Sequence, residues 1–357
     1  MKKIKFALVG CGRISKKHAE TITKHLKDKA ELIAVSDPQE NRAKIVGETY
    51  KVPHYKSYED MLSSHPEIEV VNILTESGNH AKHTIDIATN FQKHIITEKP
   101  MSLTLDDADK MIRSCDEAGV KLFVVKQNRY NLPVMKLREE LEKGSFGKLV
   151  MGTVRVRWCR PQPYYDQDEW RGTWAMDGGV FTNQASHHID LLEWMLGEPI
   201  SVFAKSRTAL ADIETEDTGV AIIQFANGAI GVVEATTATR PKDLEGSLSI
   251  MGERGTVEIG GFAVNEMKTW NFVDQDEKER IEIIEKYKEN PTNVYGFGHV
   301  RYLNEVCDSL IHNKKALVDG LEGRKSLELI NAIYESIETG KEVFLRFQPM
   351  KCKLGRK

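Results

Sequence analysis

The feature that most constrains the fold is a regular alternation of short apolar runs and amphipathic stretches through the first hundred residues. "IKFALVG", "AELIAVSD", "EVVNILT" and "HIITEKP" read as strands, with "ISKKHAETITKHL", "ENRAKIVGETY" and "HAKHTIDIATN" as the helices between them. Strands joined by helices of about ten residues must be parallel, with helices covering both faces of the sheet. The helix "SLTLDDADKMIRSCDEAG" and the strand "KLFVVKQN" carry the pattern to residue 128.

The first strand-to-helix turn is "GCGRIS". Gly10 and Gly12 fill the first two places of a G-x-G-x-x-G/A turn and Ser15 the third, while Arg13 and Ile14 open the helix. Without a Cβ at Gly12 the backbone can approach a pyrophosphate, and the helix amino terminus offers it free N–H groups and the positive end of a dipole. Asp37 closes the second strand at the distance expected for a ribose-binding carboxylate. It would accept from a 2′-hydroxyl and repel a 2′-phosphate, and Pro38, Gln39 and Glu40 supply no cation to offset that repulsion. The expected cofactor is NAD rather than NADP, held by a dinucleotide-binding domain over residues 1–128. Asp37 as a simple helix cap would leave Gly10 and Gly12 unexplained.

Beyond residue 129 the pattern becomes strand-rich: "GKLVMGTVRVRW", "PISVFAKSRTAL", "DTGVAIIQFANGAIGVVEATTAT" and "GSLSIMGERGTVEIGG". Few helices intervene, and "FANGAIG" carries the Asn-Gly signal of a hairpin, so residues 129–357 are expected to form an α+β domain on a mostly antiparallel sheet. Its main helix is predicted over "FTNQASHHIDLLEWMLG", ended by Gly197. On that helix Ala185, Ile189, Leu192 and Leu196 share one side, and Asn183, His187 and Asp190 the other. Just upstream, "WRGTWAMDGG" concentrates Trp170, Arg171, Trp174 and Asp177, an unusual composition for an idle surface loop.

Charge and cysteine usage exclude several classes. Fifty basic and fifty-three acidic side chains leave a net charge of −3, too balanced for bulk attraction to nucleic acid or a membrane surface, so an anionic ligand must be met by local residues. Cys11, Cys115, Cys159, Cys307 and Cys352 are scattered, with no zinc-site spacing, and read as reduced thiols; no metal is expected. The apolar run in "MKKIKFALVGCG" is too short for a signal peptide and no run reaches membrane-spanning length, which points to the cytoplasm.

The stretch "IITEKPM" raises a sharper question, because an apolar strand ends in Glu98 and Lys99 and Pro100 stops it. A solvated turn is one reading. Gly10-x-Gly12, Glu98-Lys99-Pro100, and Gly178-Gly179 followed by His187-x-x-Asp190 together resemble, in that order and over essentially the whole chain, the Gfo/Idh/MocA oxidoreductases. Within that family "VVKQNRYN", "RWCRPQPYYDQDEWRGTW" and "GGVFTNQASHHIDLLEW" are similar to UDP-N-acetyl-2-amino-2-deoxyglucuronate (UDP-N-acetylglucosaminuronate) 3-dehydrogenases, which make precursors of bacterial surface polysaccharides such as lipopolysaccharide O-antigen. The resemblance implies a Rossmann domain, a second domain on a large open sheet, a homotetramer whose sheets pack together, and NAD-dependent oxidation of a nucleotide-sugar 3-hydroxyl to the ketone.

The same resemblance assigns roles. Lys99, at the carboxyl end of a parallel strand, binds or deprotonates the hydroxyl being oxidised. To act as a base near neutrality it must titrate roughly three pH units below the ordinary lysine value. His187 is the other acid-base candidate, needing almost no such change, with Asp190 one turn on to orient it. Many family members carry Asp where this chain has Asn183, which makes Asn183 a neutral hydrogen-bonding residue and removes one carboxylate from the expected site. Thr75 and His80 match positions beside the nicotinamide, and Glu98, Trp170 and Arg171 are expected at the cofactor. Gln127, Asn128, Arg129 and Tyr130 end the last Rossmann strand and are expected to face the cleft. Arg160, Tyr164, Tyr165, Tyr295 and His299 are implied substrate contacts, with Arg129, Arg160 and Arg171 as donors to phosphate and carboxylate. Two other readings fit: a different enzyme of this fold, such as a free-sugar or inositol dehydrogenase or an NAD-using glycosidase, and a non-catalytic NAD-binding regulator. The presence of both Lys99 and His187 argues against the regulator.

Overall fold

The computed structural model describes residues 2–288 and 296–345, and its chain forms two sheets of the two predicted kinds. Strands β1 (Ile4–Val9), β2 (Ala30–Ser36), β3 (His54–Tyr55), β4 (Val70–Ile73), β5 (His94–Thr97) and β6 (Leu122–Val124) pair in parallel in the order β3-β2-β1-β4-β5-β6. Helices α1 (Arg13–Glu20), α2 (Glu40–Tyr50), α3 (Tyr58–Ser64), α4 (His80–Asp86) and α5 (Leu105–Glu117) make the crossovers. All four residues of β4 are buried, which is why such central strands read as continuous apolar runs rather than alternating ones. Each fully buried Val, Ile or Leu there contributes about 1.5–3 kcal/mol. The short β3 and α3 lie in a stretch for which the sequence pattern predicts no element.

Helix α6 (Leu132–Glu142) leads into the second sheet. Its strands β7 (Leu149–Arg157), β8 (Pro199–Arg207), β9 (Thr218–Phe225), β10 (Ile230–Thr236), β11 (Glu245–Gly252), β12 (Gly255–Gly260), β13 (Glu266–Phe272) and β14 (Val343–Phe344) lie in the order β13-β12-β11-β7-β10-β9-β8-β14. Every pairing is antiparallel except β7 with β10. The predicted hairpin is β9–β10, turned at Asn227–Gly228 with Gly228 at φ +86°. Helices α7 (Gln162–Tyr165), α8 (Ser186–Leu196), α9 (Glu277–Lys286), α10 (Gly298–Ile311) and α11 (Gly320–Thr339) complete the fold. One face of the sheet is covered by α8 and α11. Along β9 the alternation is clean: Ala221, Ile223 and Phe225 are buried beneath the helices, whereas Val220 and Ile222 are exposed on the open face.

Two features set up the site. First, Tyr302, Leu303, Val306 and Cys307 of α10 and Leu327 of α11 join the core of the parallel sheet, while Leu329, Ile330 and Ile333 of α11 join the core of the second. One helix therefore fixes the two sheets against each other. Second, α8 begins at Ser186, five residues later than predicted. Gly178 at φ +82° turns the chain, and residues 179–185 close on themselves through Asn183 N–H to Gly179 C=O at 2.9 Å and Ala185 N–H to Val180 C=O at 2.8 Å. Asn183 thus precedes the helix, so its side chain is not on a common helical face with His187 and Asp190.

Candidate active site

A cavity of about 1120 Å³ lies beyond the carboxyl ends of β1, β2, β4 and β5 and extends to the second sheet, where ligands bind in open α/β sheets. At one end stand Gly10, Gly12, Arg13, Ile14 and Asp37. Gly10 has φ +100°, and a Cβ there would lie 2.7 Å from the Leu74 backbone, so the turn admits only glycine. At Gly12 a Cβ would meet nothing within 4 Å. Packing within the protein does not demand that glycine, which fits a backbone approached from the cavity by a pyrophosphate at the α1 amino terminus. The Asp37 carboxylate is oriented by the N–H groups of Cys11 and Gln39, each at 2.8 Å, leaving acceptor capacity for ribose hydroxyls. Arg42, for which sequence reading gave no role, also lines this end, but its guanidinium is held by Asp168 at 2.8 Å. These residues fit NAD.

The strand-end question is answered at the middle of the cavity. Glu98 is buried, and its carboxylate meets His18 Nε2 at 3.0 Å, His299 Nε2 at 3.5 Å and the Lys99 N–H at 3.1 Å. Burial alone would raise its pKa, but the two imidazoles outweigh it and hold Glu98 well below the usual carboxylate range. The ligand-type atoms of His18, Glu98 and His299 converge within 4.8 Å. The Asn72 amide donates to His18 Nδ1 at 2.9 Å, so Nε2 carries the proton and gives it to Glu98, which makes the cluster a hydrogen-bonded set rather than a ligand set. His299, expected at the substrate, is fully buried and faces Glu98 at the cavity wall.

Lys99 faces the cavity with Nζ donating to the Asn183 carbonyl at 2.5 Å. Burial lowers its pKa; Glu98 and Asp177 push it back up, and Lys126 and Arg171 add to the lowering. His187 is buried across from it, with its Nε2 2.9 Å from the Gln127 amide nitrogen. Burial, reinforced by Lys99, drives the His187 pKa well below the usual imidazole value. His187 was expected to need almost no pKa shift to act near neutrality; its environment lowers the pKa, and it is neutral near pH 7. The amide hydrogen bond gives Nε2 the lone pair and leaves the proton on Nδ1.

His80 is clamped between the carbonyls of Pro100 at 2.7 Å and Thr75 at 3.0 Å, tying the loop after β4 to the turn that presents Lys99. Thr75 itself meets His83 Nδ1 at 3.0 Å. Toward the second sheet, Arg171 stacks over Trp170 and Tyr164 with its carbon 4.6 and 4.8 Å from the ring centres, and binds Asp168 at 3.1 Å. Arg160 stacks over Trp158 and binds Asp243 at 2.8 Å. Both guanidiniums line the cavity.

Further expectations are corrected. Arg129 does not face the cleft: it grips both Asp190 oxygens at 2.8 and 2.7 Å, binds Glu322 at 2.9 Å and lies over Trp194. Buried, bonded through all three of its nitrogens and absent from the cavity lining, it does not present itself to a phosphate there. Asp190 consequently does not orient His187, because Arg129 and Lys126, the latter at 3.0 Å, take its oxygens; Gln127 does the orienting. Tyr165 turns away, its hydroxyl 2.9 Å from Thr237 Oγ1, and Tyr164 lines the cavity in its place. Asn128 and Tyr130 are buried and do not line it either. Tyr295 lies outside the described residues. The expected loss of a carboxylate at Asn183 is also offset, since its amide donates to Asp177 at 2.5 Å. Asp177, Arg42 and Asp168 had no assigned part in the site; the Asp168-x-x-Arg171 spacing and the composition of "WRGTWAMDGG" were the available signals.

Residues 4–126 match the oxidoreductase family NAD-binding Rossmann fold of Gfo/Idh/MocA proteins, and residues 138–345 match that family's C-terminal alpha/beta domain. The chain is 41% identical to the WlbA dehydrogenase of Bordetella pertussis, solved with NADH and UDP-GlcNAcA, with a TM-score of 0.91 over 97% of this chain and 99% of that one. It is 40% identical to the WlbA dehydrogenase of Chromobacterium violaceum, solved with the same two ligands, with a TM-score of 0.90 over 98% of each chain. Myo-inositol 2-dehydrogenase of Thermotoga maritima is 27% identical over 96% of this chain and 98% of its own length. With both halves matched and the glycine turn, Lys99 and His187 gathered on one cavity, this chain belongs to the Gfo/Idh/MocA oxidoreductase family.

Proposed function

We propose that the protein oxidises the 3-hydroxyl of UDP-N-acetylglucosaminuronate, or a close epimer, to the 3-keto sugar with NAD. The observation that carries this reading is the near-full-length likeness to two dehydrogenases solved with NADH and UDP-GlcNAcA. Support comes from the cavity: at about 1120 Å³ it exceeds the roughly 300–1,000 Å³ of an ordinary single-ligand pocket, as a dinucleotide and a nucleotide sugar together require. NAD, when bound, accepts the hydride. In this reading residues 1–128 hold it, and residues 129–357 bind the sugar nucleotide and build the assembly.

Lys99 and His187 are the acid-base pair. Lys99 positions the hydroxyl and exchanges its proton, helped by a pKa already lowered by burial, and His187, neutral and with Nε2 engaged by Gln127, offers its Nδ1–H as the donor of the pair. Thr75, His80, Glu98, Gln127, Trp170 and Arg171 shape the nicotinamide side, and Arg160, Arg171 and Tyr164 the anionic end of the substrate. Val220, Ile222 and Ile230 with Phe203 leave an apolar face on the second sheet bare, and Phe203 pairs with Ile222 across β8 and β9. Such a patch supports face-to-face packing of copies into a homotetramer. Among the described residues no helix is long and apolar enough to cross a membrane; in our reading the enzyme works in the cytoplasm on precursors of surface polysaccharide such as lipopolysaccharide O-antigen.

NAD reduction measured across UDP-uronates, neutral UDP-sugars and free polyols tests the reading. UDP-N-acetylglucosaminuronate is expected to turn over far faster than UDP-N-acetylglucosamine, which brings no carboxylate to the cations at Arg160 and Arg171. Equal rates, or a preference for a free polyol such as inositol, would overturn it.

A further inference from the structure

Asn183 is neutral at the reaction centre, yet its backbone carbonyl and its side-chain amide each meet a charged group. Its carbonyl accepts from Lys99 Nζ at 2.5 Å and its amide donates to Asp177 Oδ1 at 2.5 Å. Asp177 itself does not line the cavity and is 2% exposed. Its other oxygen accepts the Gly172 N–H at 2.9 Å, and its own N–H closes a turn onto Thr173. The carboxylate therefore staples residues 172–183, the segment that carries Asn183 to the lysine.

The charges around Lys99 distinguish Asp177 further. Glu98, His187, Asp177, Lys126 and Arg171 act on Lys99, and Lys99, Arg171 and Glu216 act on Asp177. Most of these are already compensated by direct contact. Glu98 has His18, Lys126 has Asp190, Arg171 has Asp168, and Glu216 is capped by the Tyr334 hydroxyl at 3.0 Å. Among the described residues Asp177 has no ion pair of its own; its bonded partners are two neutral amides. A buried carboxylate so placed keeps its field for Lys99, the first among the cations that act on it.

We propose that Asp177 is a positioning residue for the reaction: through Asn183 it fixes the Lys99 ammonium in place and supplies its counter-charge from behind the cavity wall. The role deepens the reading in which Lys99 exchanges the proton, and rests on it. Burial raises the Asp177 pKa to about 6, so the counter-charge is present at neutral pH and fades in acid.

The test uses full-length protein labelled with 13C at the lysine ε-carbon, with the Lys99 signal assigned by its loss in Lys99→Met. Its titration is followed by NMR without substrate. Asp177→Asn, which keeps the size and a hydrogen-bonding end, is expected to lower the Lys99 midpoint by about one pH unit or more. Moving the carboxylate to the other end of the same hydrogen bond, in Asp177→Asn/Asn183→Asp, is expected to return the midpoint to near the wild-type value. A wild-type midpoint in Asp177→Asn, or a midpoint in the double variant that stays far from wild type, overturns the proposal; the double variant decides if the single one does not fold. Full turnover by Lys99→Met would instead remove Lys99 from the chemistry and leave the titration result standing, so the two failures are distinguishable.

Discussion

The cofactor end of the cavity and the reaction end are built on different principles. Gly10, Gly12, Ile14 and Asp37 stand within twenty-eight residues on one β-α-β unit, and each acts through its own backbone or a bond to a neighbouring loop. At the reaction end Lys99 meets Asn183, Gln127 meets His187, and Arg129 bridges Asp190 and Glu322, all across separations of at least sixty residues. The difference teaches that a binding turn can be carried by local geometry, whereas tuned acid-base groups need charges brought in from several elements and buried together.

The largest effect that separates the two ends is expected from Lys99→Met. Turnover should fall by about 10²- to 10⁴-fold in a steady-state assay, while NAD affinity measured by calorimetric titration stays near wild type. Wild-type activity should rise with pH as Lys99, its pKa lowered by burial, loses its proton, and that limb should disappear in the variant. Near wild-type turnover would make "TEKP" a mere turn. A smaller and different effect is expected from Arg129→Ala, which strands part of a buried carboxylate network. Breaking such a pair costs about 3–5 kcal/mol, a fall in melting temperature of roughly 4–7 °C for a chain this size, read by thermal unfolding. A change under about 2 °C would contradict the view that this network, rather than substrate binding, is what Arg129 serves.

Much of the parallel sheet was legible because period and glycine placement are local signals: β1, β2, β4, β5 and β6 each fall within a run read as a strand. The glycine turn and Asp37 were legible for the same reason. The beginning of α8 was not, because Asn183 fits a helical period but is held in a turn by Gly178 and Gly179. Nor were the partners of the charged residues. His187-x-x-Asp190 suggests a pair one turn apart, but the structure gives Asp190 to Arg129 and Lys126 and His187 to Gln127. Sequence order states which side chains share a helix; it does not state which distant cation will neutralise a buried carboxylate. Arg129 shows the consequence, since at the end of a strand it looks like a ligand donor until Asp190 and Glu322 are seen to consume it.

The central claim is that Lys99 and His187 act on one particular hydroxyl, and isotope transfer tests it most directly. UDP-N-acetylglucosaminuronate carrying deuterium at carbon 3 should pass that deuterium to the nicotinamide, so that mass spectrometry finds it in the reduced cofactor, with slower hydride transfer in a single-turnover experiment. Reduced cofactor free of deuterium from that substrate, with the label appearing only when carbon 4 carries it, would contradict the account.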